Sequence, residues 1–302
     1  MTNTMSVSRF ARGMKQWNYM KKNKIPEVWS IARVVVQKYG HTKKFAKQII
    51  ALVIKEDKNF SDEKLAKFLG EDPIGKILGY SKTPHPSVFS KVRKRSDTRI
   101  LQEVYEWFLQ DKMKEKQVHL IAQDSTDISA YSKDDKDARF GHKTPSKKEQ
   151  IASKSTKKSF VFGYKLHVIA DVETEIPIAL EIAPANRNDK IFFHELYNTV
   201  KERFAVHMKP NAKFLADAAY NSTDIYQELH YDGVKPLIVV NGRGHYKSSK
   251  PKDKEYGKRW AIERIFSRLK EVFGLAKNRF IGIKKVTMHI YSCILAYLLR
   301  YG

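Results

Sequence analysis

The chain has a single cysteine, Cys293, so no internal disulfide can staple it, and its place in an apolar helix marks a buried structural thiol. It also lacks a long apolar run. The longest, IYSCILAYLL from Ile290, is about half of what a bilayer crossing requires. The opening residues, MTNTMSVSRFARGMKQWNYM, contain no apolar signal core, so we expect a protein of the cell interior with no membrane partner. No internal repeat is visible, and the histidines show no metal-ligand spacing. Acidic residues are the scarce charge, 33 against 57 Lys plus Arg, which leaves a formal net charge of +24. A chain this lopsided resists compaction unless a polyanion offsets it, and nucleic acid is the natural candidate. An anionic membrane surface is the weaker rival, because no long basic amphipathic helix with an exposed apolar face stands out.

What is present is a core. Hydrophobic residues make up 42% of the 302, which is globular rather than disordered and suffices for one large domain or a main domain plus a smaller one. Residues 1–100 hold 22 basic and 8 acidic side chains, so much of the positive excess lies at the amino-terminal end. Up to about residue 115 the pattern is helical. KKFAKQIIALVIKE, from Lys43, places Phe45, Ile49, Ile50, Val53 and Ile54 at helical spacing. Ser61 or Asp62 can cap the helix DEKLAKFLG, which Gly70 ends; PIGKILG and SVFSKVRKRS follow. The last of these carries Lys91, Arg93, Lys94 and Arg95. Short helices with a basic final one suggest a helix-turn-helix-like unit, with those four residues as DNA contacts; a plain helical subdomain with a solvated charged face explains them as well. LQEVYEWFLQDKM, from Leu101, is a further amphipathic helix.

From Val118 the period changes. VHLIAQ, FVFGYKLHVIA and IPIALEIA are apolar, β-rich runs. The polar stretch between the first two, YSKDDKDARFGHKTPSKKEQIASKSTKKS, reads as a long loop. A helix from Asp189, the strand KFLAD, the helix STDIYQELHY and the strand KPLIVV come next. The basic loop NGRGHYKSSKPKDK follows, too little for a nucleotide-binding claim at Gly242 and Gly244. Strand–helix alternation after three strands implies an α/β domain over 116–302, a mixed sheet flanked by helices, preceded by the mainly helical region 1–115. Lys165 and His167 share one face of FVFGYKLHVIA and read as half-exposed strand residues.

Asp124 and Asp217 end strand-like runs, where an unpaired carboxylate is expensive and a divalent metal or cationic partner removes the cost; taken singly, each is explained as a strand-end or turn acid. Asp127, beyond the apolar run, is covered by turn chemistry. In EYGKRWAIERIFSRLKEVFG, from Glu255, about 100° per residue puts Tyr256, Arg259, Glu263 and Lys270 within an arc of about 60°. They line the flank of a separate apolar stripe that includes Ile262, Phe266 and Leu269. A surface pair Arg259–Glu263 alone has the less favourable order for an i,i+4 pair and leaves Tyr256 and Lys270 unexplained.

YGKRWAIERIFSRLK resembles the YREK signature, Y-x2-R-x3-E-x6-K, of insertion-sequence transposases with a DDE active site. IAQDSTDI is similar to that group's first-Asp strand, DARFG with FGYKLHVIAD to its next strands, APANRNDK to its sheet-to-helix turn, and FLADAAYNS to its second-Asp motif, all in order. The resemblance covers about Val118 to Gly302 and implies an RNase H-like catalytic fold. It implies that Asp124, Asp217 and Glu263 hold two Mg²⁺ or Mn²⁺ ions and that Tyr256, Arg259 and Lys270 grip phosphates. The implied activity is hydrolysis at transposon ends and strand transfer into target double-stranded DNA, by a protein that dimerises when synapsed and works in a prokaryotic cytoplasm at the nucleoid. Asp217 and Glu263 are 46 positions apart, room for a helix, a strand and a loop only; this speaks against the β-rich insertion and hairpin route of some relatives. A non-catalytic DNA-binding repressor derived from such an enzyme, and an RNase H-like nuclease, are the alternatives.

Overall fold

The computed structural model describes residues 25–143, 159–204, 208–240 and 249–302. The signal-region reading of the amino terminus, most of the polar stretch after Gly141 and the NGRG glycines lie outside the described residues. Backbone packing groups the chain into two units. Met1–Asp111, Val272–Gly274 and Thr287–Tyr301 form the first; Lys112–Glu271 with Leu275–Val286 form most of the second.

The first unit is helical: α1 (Ile25–Lys38), α2 (Lys43–Lys58), α3 (Asp62–Glu71), α4 (Pro73–Ile77), α5 (Ser87–Arg95) and nearly all of α6 (Thr98–Met113). Local chemistry explains the boundaries. Ser61 Oγ accepts from Lys64 N at 3.2 Å to start α3, and Asp72 Oδ1 accepts from Ile74 N at 2.9 Å to start α4 with Pro73 at its first position. Asn59 ends α2 in the left-handed region at φ 53°. Phe89, Val92 and Arg93 on α5 and Ser96, its C-cap, are all buried, which is one helical stripe. The expectation that all four basic residues of this helix face DNA is therefore corrected at Arg93: its guanidinium is buried and pairs with Asp62. Lys91, Lys94 and Arg95 are exposed.

The second unit is built on six strands: β1 (Val118–Ser129), β2 (Arg139–Lys143), β3 (Ser159–Asp171), β4 (Ile176–Pro184), β5 (Met208–Ala216) and β6 (Lys235–Ile238). They run in the order β2-β3-β1-β5-β6, with β4 also on β3. β1 is antiparallel to β3 and parallel to β5, and β5 is parallel to β6. That is the mixed sheet flanked by helices that strand–helix alternation led us to expect. Two readings need correction. Arg139–Lys143 is a strand inside the stretch whose composition reads as a loop, in agreement with the likeness of DARFG to one of the family's strands, and β1 runs past Gln123, so Asp127 lies within it opposite Lys165. Thr126 and Ile128 are buried, and cross-strand hydrogen bonding to β3 carries the strand through its polar residues.

α7 (Phe193–Phe204) packs on β3 and β4, α8 (Thr223–Tyr231) on β6, and α9 (Trp260–Glu271) on β1. A closing helix, α10, spans Ile283–Tyr301. At Gly163 the backbones of β3 and β1 approach closely: a Cβ there would lie 2.1 Å from the Ile128 carbonyl oxygen, so only glycine fits.

Candidate active site

Asp124 and Asp217 meet because their strands are parallel neighbours. Ala122 lies abreast of Leu215, and two residues further along each chain bring the two aspartates level. Asp217 then caps the 3-10 turn Ala218–Tyr220, its Oδ1 accepting from Ala219 N at 2.8 Å. Asp124 is held by its neighbour's amide, Ser125 N to Oδ1 at 2.8 Å. Burial pushes the Asp124 carboxyl up to about 6; Arg259 pulls against that rise and the charge of Asp217 adds to it. Burial likewise raises Asp217, against the Ala219 amide and the Arg259 guanidinium.

The third acid arrives on α9. Tyr256 and Arg259 are not on that helix, as its 100° spacing led us to expect, but in a 3-10 segment, Lys254–Arg259, packed against β5. Asp253 sets this segment: its Oδ1 accepts from Glu255 N at 3.0 Å while its Oδ2 takes Lys213 and Lys235, each at 3.0 Å. From there Arg259 forks. One amino group donates to Asp124 Oδ2 at 2.9 Å and the other to Glu263 Oε1 at 2.6 Å, the planar geometry for which arginine is suited. Tyr256 donates its hydroxyl to the Ala216 carbonyl at 3.4 Å, next to Asp217. Lys270 lies two turns beyond Glu263 on α9.

Reasoning from sequence missed a fourth acid, Asp189, which opens the 3-10 turn Asp189–Phe192 that touches the Ala218–Tyr220 turn. Its Oδ1 accepts from Ser125 Oγ at 2.9 Å and from Lys165 Nζ at 2.9 Å. An acid opening a helix straight after a strand was the available signal. His167 is not half-exposed but buried, stacked on Phe192 at 4.1 Å with neither ring nitrogen hydrogen-bonded. Burial lowers its pKa to about 4 despite Asp189 at 3.5 Å, so the ring is neutral at pH 7. Tyr220 points a buried hydroxyl without a hydrogen-bond partner into the same region. Burial and the charges of Asp124, Asp189 and Asp217 raise it well above its ordinary value.

The donor atoms of Asp124, Asp217 and Glu263 are all carboxylate oxygens, the set that suits hard divalent cations. They are not drawn into a tight triplet; Arg259 spans the gap between two of them. Among the described residues the triplet whose donor atoms all lie within 4.8 Å is Glu56, His289 and Cys293, in the first unit. That triplet is internally satisfied. Glu56 Oε1 meets Lys55 Nζ at 3.1 Å and His289 Nδ1 at 3.2 Å, and the Cys293 thiol donates to the Phe273 carbonyl at 3.1 Å.

No curated protein sequence matches the chain. Distant likeness to solved structures includes two transposase complexes. The cryo-EM structure of a piggyBac transposase synaptic complex with hairpin DNA aligns at 9% identity and a TM-score of 0.42, covering 84% of this chain and 66% of that one, so the chain spans just under two thirds of its length. The Mos1 transposase paired-end complex with the left transposon end aligns at 12% identity and a TM-score of 0.23, covering 84% of this chain and 79% of that one. No helix among the described residues is long and apolar enough to cross a membrane. The Transposase DDE domain family matches residues 117–299, well over half of the sequence and the whole stretch that bears the four acids, and the chain belongs to that family.

Proposed function

We propose that this protein is an insertion-sequence transposase of the YREK-signature group, with Asp124, Asp217 and Glu263 as its catalytic carboxylates. Residues 116–302 form the catalytic domain, and 1–115 the basic DNA-binding region, with Lys91, Lys94 and Arg95 on its outer face. The observation that carries the reading is the Arg259 fork, which ties Asp124 to Glu263 while Asp217 stands level with Asp124. Three acids from distant parts of the sequence gathered about one guanidinium are difficult to explain as turn caps or surface pairs.

The residues fit divalent metal. The donor set is all oxygen, and burial raises both aspartates in a way that a cation would offset. Asp124, Asp217 and Glu263 would hold two Mg²⁺ or Mn²⁺ ions, which supply a Lewis acid to activate water or a DNA 3′-hydroxyl and to stabilise the leaving 3′-oxygen. The chain does the rest. Ser125 N and Arg259 fix the orientation of Asp124, and the Ala219 amide fixes Asp217. Tyr256, Arg259 and Lys270 face the flanking phosphates and position the strand without reading bases. The DNA partners are the transposon ends and the target duplex, bound by a dimer at the prokaryotic nucleoid.

Glu263→Gln tests this directly. Mg²⁺-dependent cleavage of DNA carrying the element's ends is lost, while binding to the same DNA is retained. Cleavage that survives in Glu263→Gln would sink the assignment.

A further inference from the structure

Behind Asp124, on the opposite face of β1, sits a second charged arrangement to which the catalytic scheme gives no work. In the β1–β3 register Asp124 stands opposite Val168 and Ser125 opposite His167, so alternation turns Asp124 to one face and Ser125 to the other. On Ser125's face, Asp189 is the hub. It takes the Ser125 hydroxyl at 2.9 Å and the Lys165 ammonium at 2.9 and 3.2 Å. Lys165 is 13% exposed and Asp189 22%, so water screens the pair only in part.

We infer that Asp189 and Lys165 form a positioning pair for the metal-binding carboxylates: Asp189 neutralises the Lys165 ammonium beside the site and, through Ser125, steadies the main chain that carries Asp124. This rests on the reading of Asp124, Asp217 and Glu263 as metal ligands. Two connections lead from the pair to those acids. The mechanical one is Ser125, whose hydroxyl is bonded to Asp189 and whose amide is bonded to Asp124 Oδ1 at 2.8 Å. The electrostatic one is Asp217, which feels both members: Asp189 favours its neutral form and Lys165 its charged form. The two charges act on Asp217 in opposite directions. With Asp189 made neutral, Lys165 loses the acid it is hydrogen-bonded to, and its partly buried positive charge opposes the arrival of a dication. With Lys165 made neutral instead, an extra negative charge remains and favours the dication. Neither change touches a metal ligand.

The experiment is a charge cycle read by Mn²⁺ binding rather than turnover. Wild type, Asp189→Asn, Lys165→Met, the double variant Asp189→Asn/Lys165→Met and Asp124→Asn are titrated with Mn²⁺ as full chains, following free Mn²⁺ by electron paramagnetic resonance. Thermal melts without metal accompany each. Asp189→Asn weakens Mn²⁺ binding about 10-fold, the usual scale for a partner one layer behind the ligands. Lys165→Met binds as tightly as wild type or tighter. The double variant recovers most of the loss, a rescue that a purely packing role for Asp189 would not produce. Unchanged affinity in Asp189→Asn, or a double variant no better than that single one, overturns the inference while the metal-site reading stands. If wild type binds no Mn²⁺, or Asp124→Asn binds it as well as wild type, the metal-site reading falls and this inference with it. Should Asp189→Asn fail to fold, Lys165→Met decides alone: weaker Mn²⁺ binding in that variant overturns the inference.

Discussion

Asp124 is a carboxylate whose ionisation works against the fold, and replacing it should make the metal-free protein more stable at neutral pH. Its carboxyl is raised from 3.8 to about 6, burial being the main cause, and the side chain is 22% exposed. A folded-state value above the unfolded one means that the folded protein holds the proton more tightly. The stabilisation is fully present below about pH 4 and is lost as pH rises through about 6. A rise of this size corresponds to about 3 kcal/mol at pH values above both, or roughly 6–12 °C in Tm for a domain of this size. Asp124→Asn cannot ionise and lacks that loss, while its amide can still accept from Arg259.

The assay is Tm against pH from 4 to 7.5 for both proteins in EDTA. Asp171, Glu181 and Asp217 are also raised by burial, so the absolute curves mix several groups, and the difference between variant and wild type isolates position 124. That difference should grow by several degrees between pH 4 and pH 7.5, in favour of the variant. Mn²⁺ added at pH 7.5 should raise the wild-type Tm and leave the variant close to its metal-free value. A difference that is flat across the range would refute the reasoning, because it would mean that Asp124 ionises in the folded protein as freely as in the unfolded chain.

Arg93→Met leaves Asp62 without its buried partner and should cost about 3 kcal/mol in urea unfolding. Lys94→Ala, on the exposed side of the same helix, should leave stability alone and lower the slope of log Kd against log salt for DNA by about 1. Glu56→Gln removes the carboxylate that Lys55 and His289 share, and should cost about 3–5 kcal/mol at pH 7. Burial opposes the ionisation of Glu56, but His289 and Lys55 prevail and hold it below its ordinary 4.5, so its contribution is present above that pH and fades below it; urea melts at pH 7 and pH 3.5 should therefore show a smaller gap between variant and wild type at the acid end. Gly163→Ala would place a methyl group 2.1 Å from the Ile128 carbonyl and should cost about 2 kcal/mol or more, seen as faster amide exchange along β1 and β3.

The helices and most strands were legible because their signals are local. The apolar spacing of α2, the Ser61 and Asp72 caps and the β-rich runs of β1, β3 and β4 stand in the sequence itself. What was not legible depended on partners far along the chain. Arg93 was read as exposed by its charge, although its spacing from Phe89 and Val92 already put it on the buried stripe; the missing fact was Asp62, 31 residues upstream. The strand β2 is short and charged, so its composition reads as a loop and only the likeness of DARFG to a family motif pointed to it; it pairs with Gly163 and its neighbours on β3. The polar half of β1 is held in the same way. Tyr256 and Arg259 sit on a 3-10 segment because Lys213 and Lys235 fix Asp253, a contact that no helical wheel contains. Asp124, Asp217 and Glu263 were named from motif and strand position, but that one arginine joins two of them required coordinates.

That arginine changes the account of charge at the site. The chain carries +24 overall, and a polyanion is attracted to such a surface. At one place acids are concentrated: Asp124, Glu263 and Asp189, with Asp217 nearby, are joined by Arg259 and Lys165. Clustered carboxylates repel phosphate and attract a dication. The two cations differ in what they permit. Lys165 is hydrogen-bonded to a single acid, Asp189. Arg259 uses two amino groups to join acids from separate elements, which a lysine's single ammonium could not match in geometry. A guanidinium in that position holds the carboxylates apart at a spacing set by its own width, and keeps them partly desolvated without letting them repel one another. Arg259 thus compensates the clustered acids locally, in addition to the phosphate-facing role proposed for it with Tyr256 and Lys270.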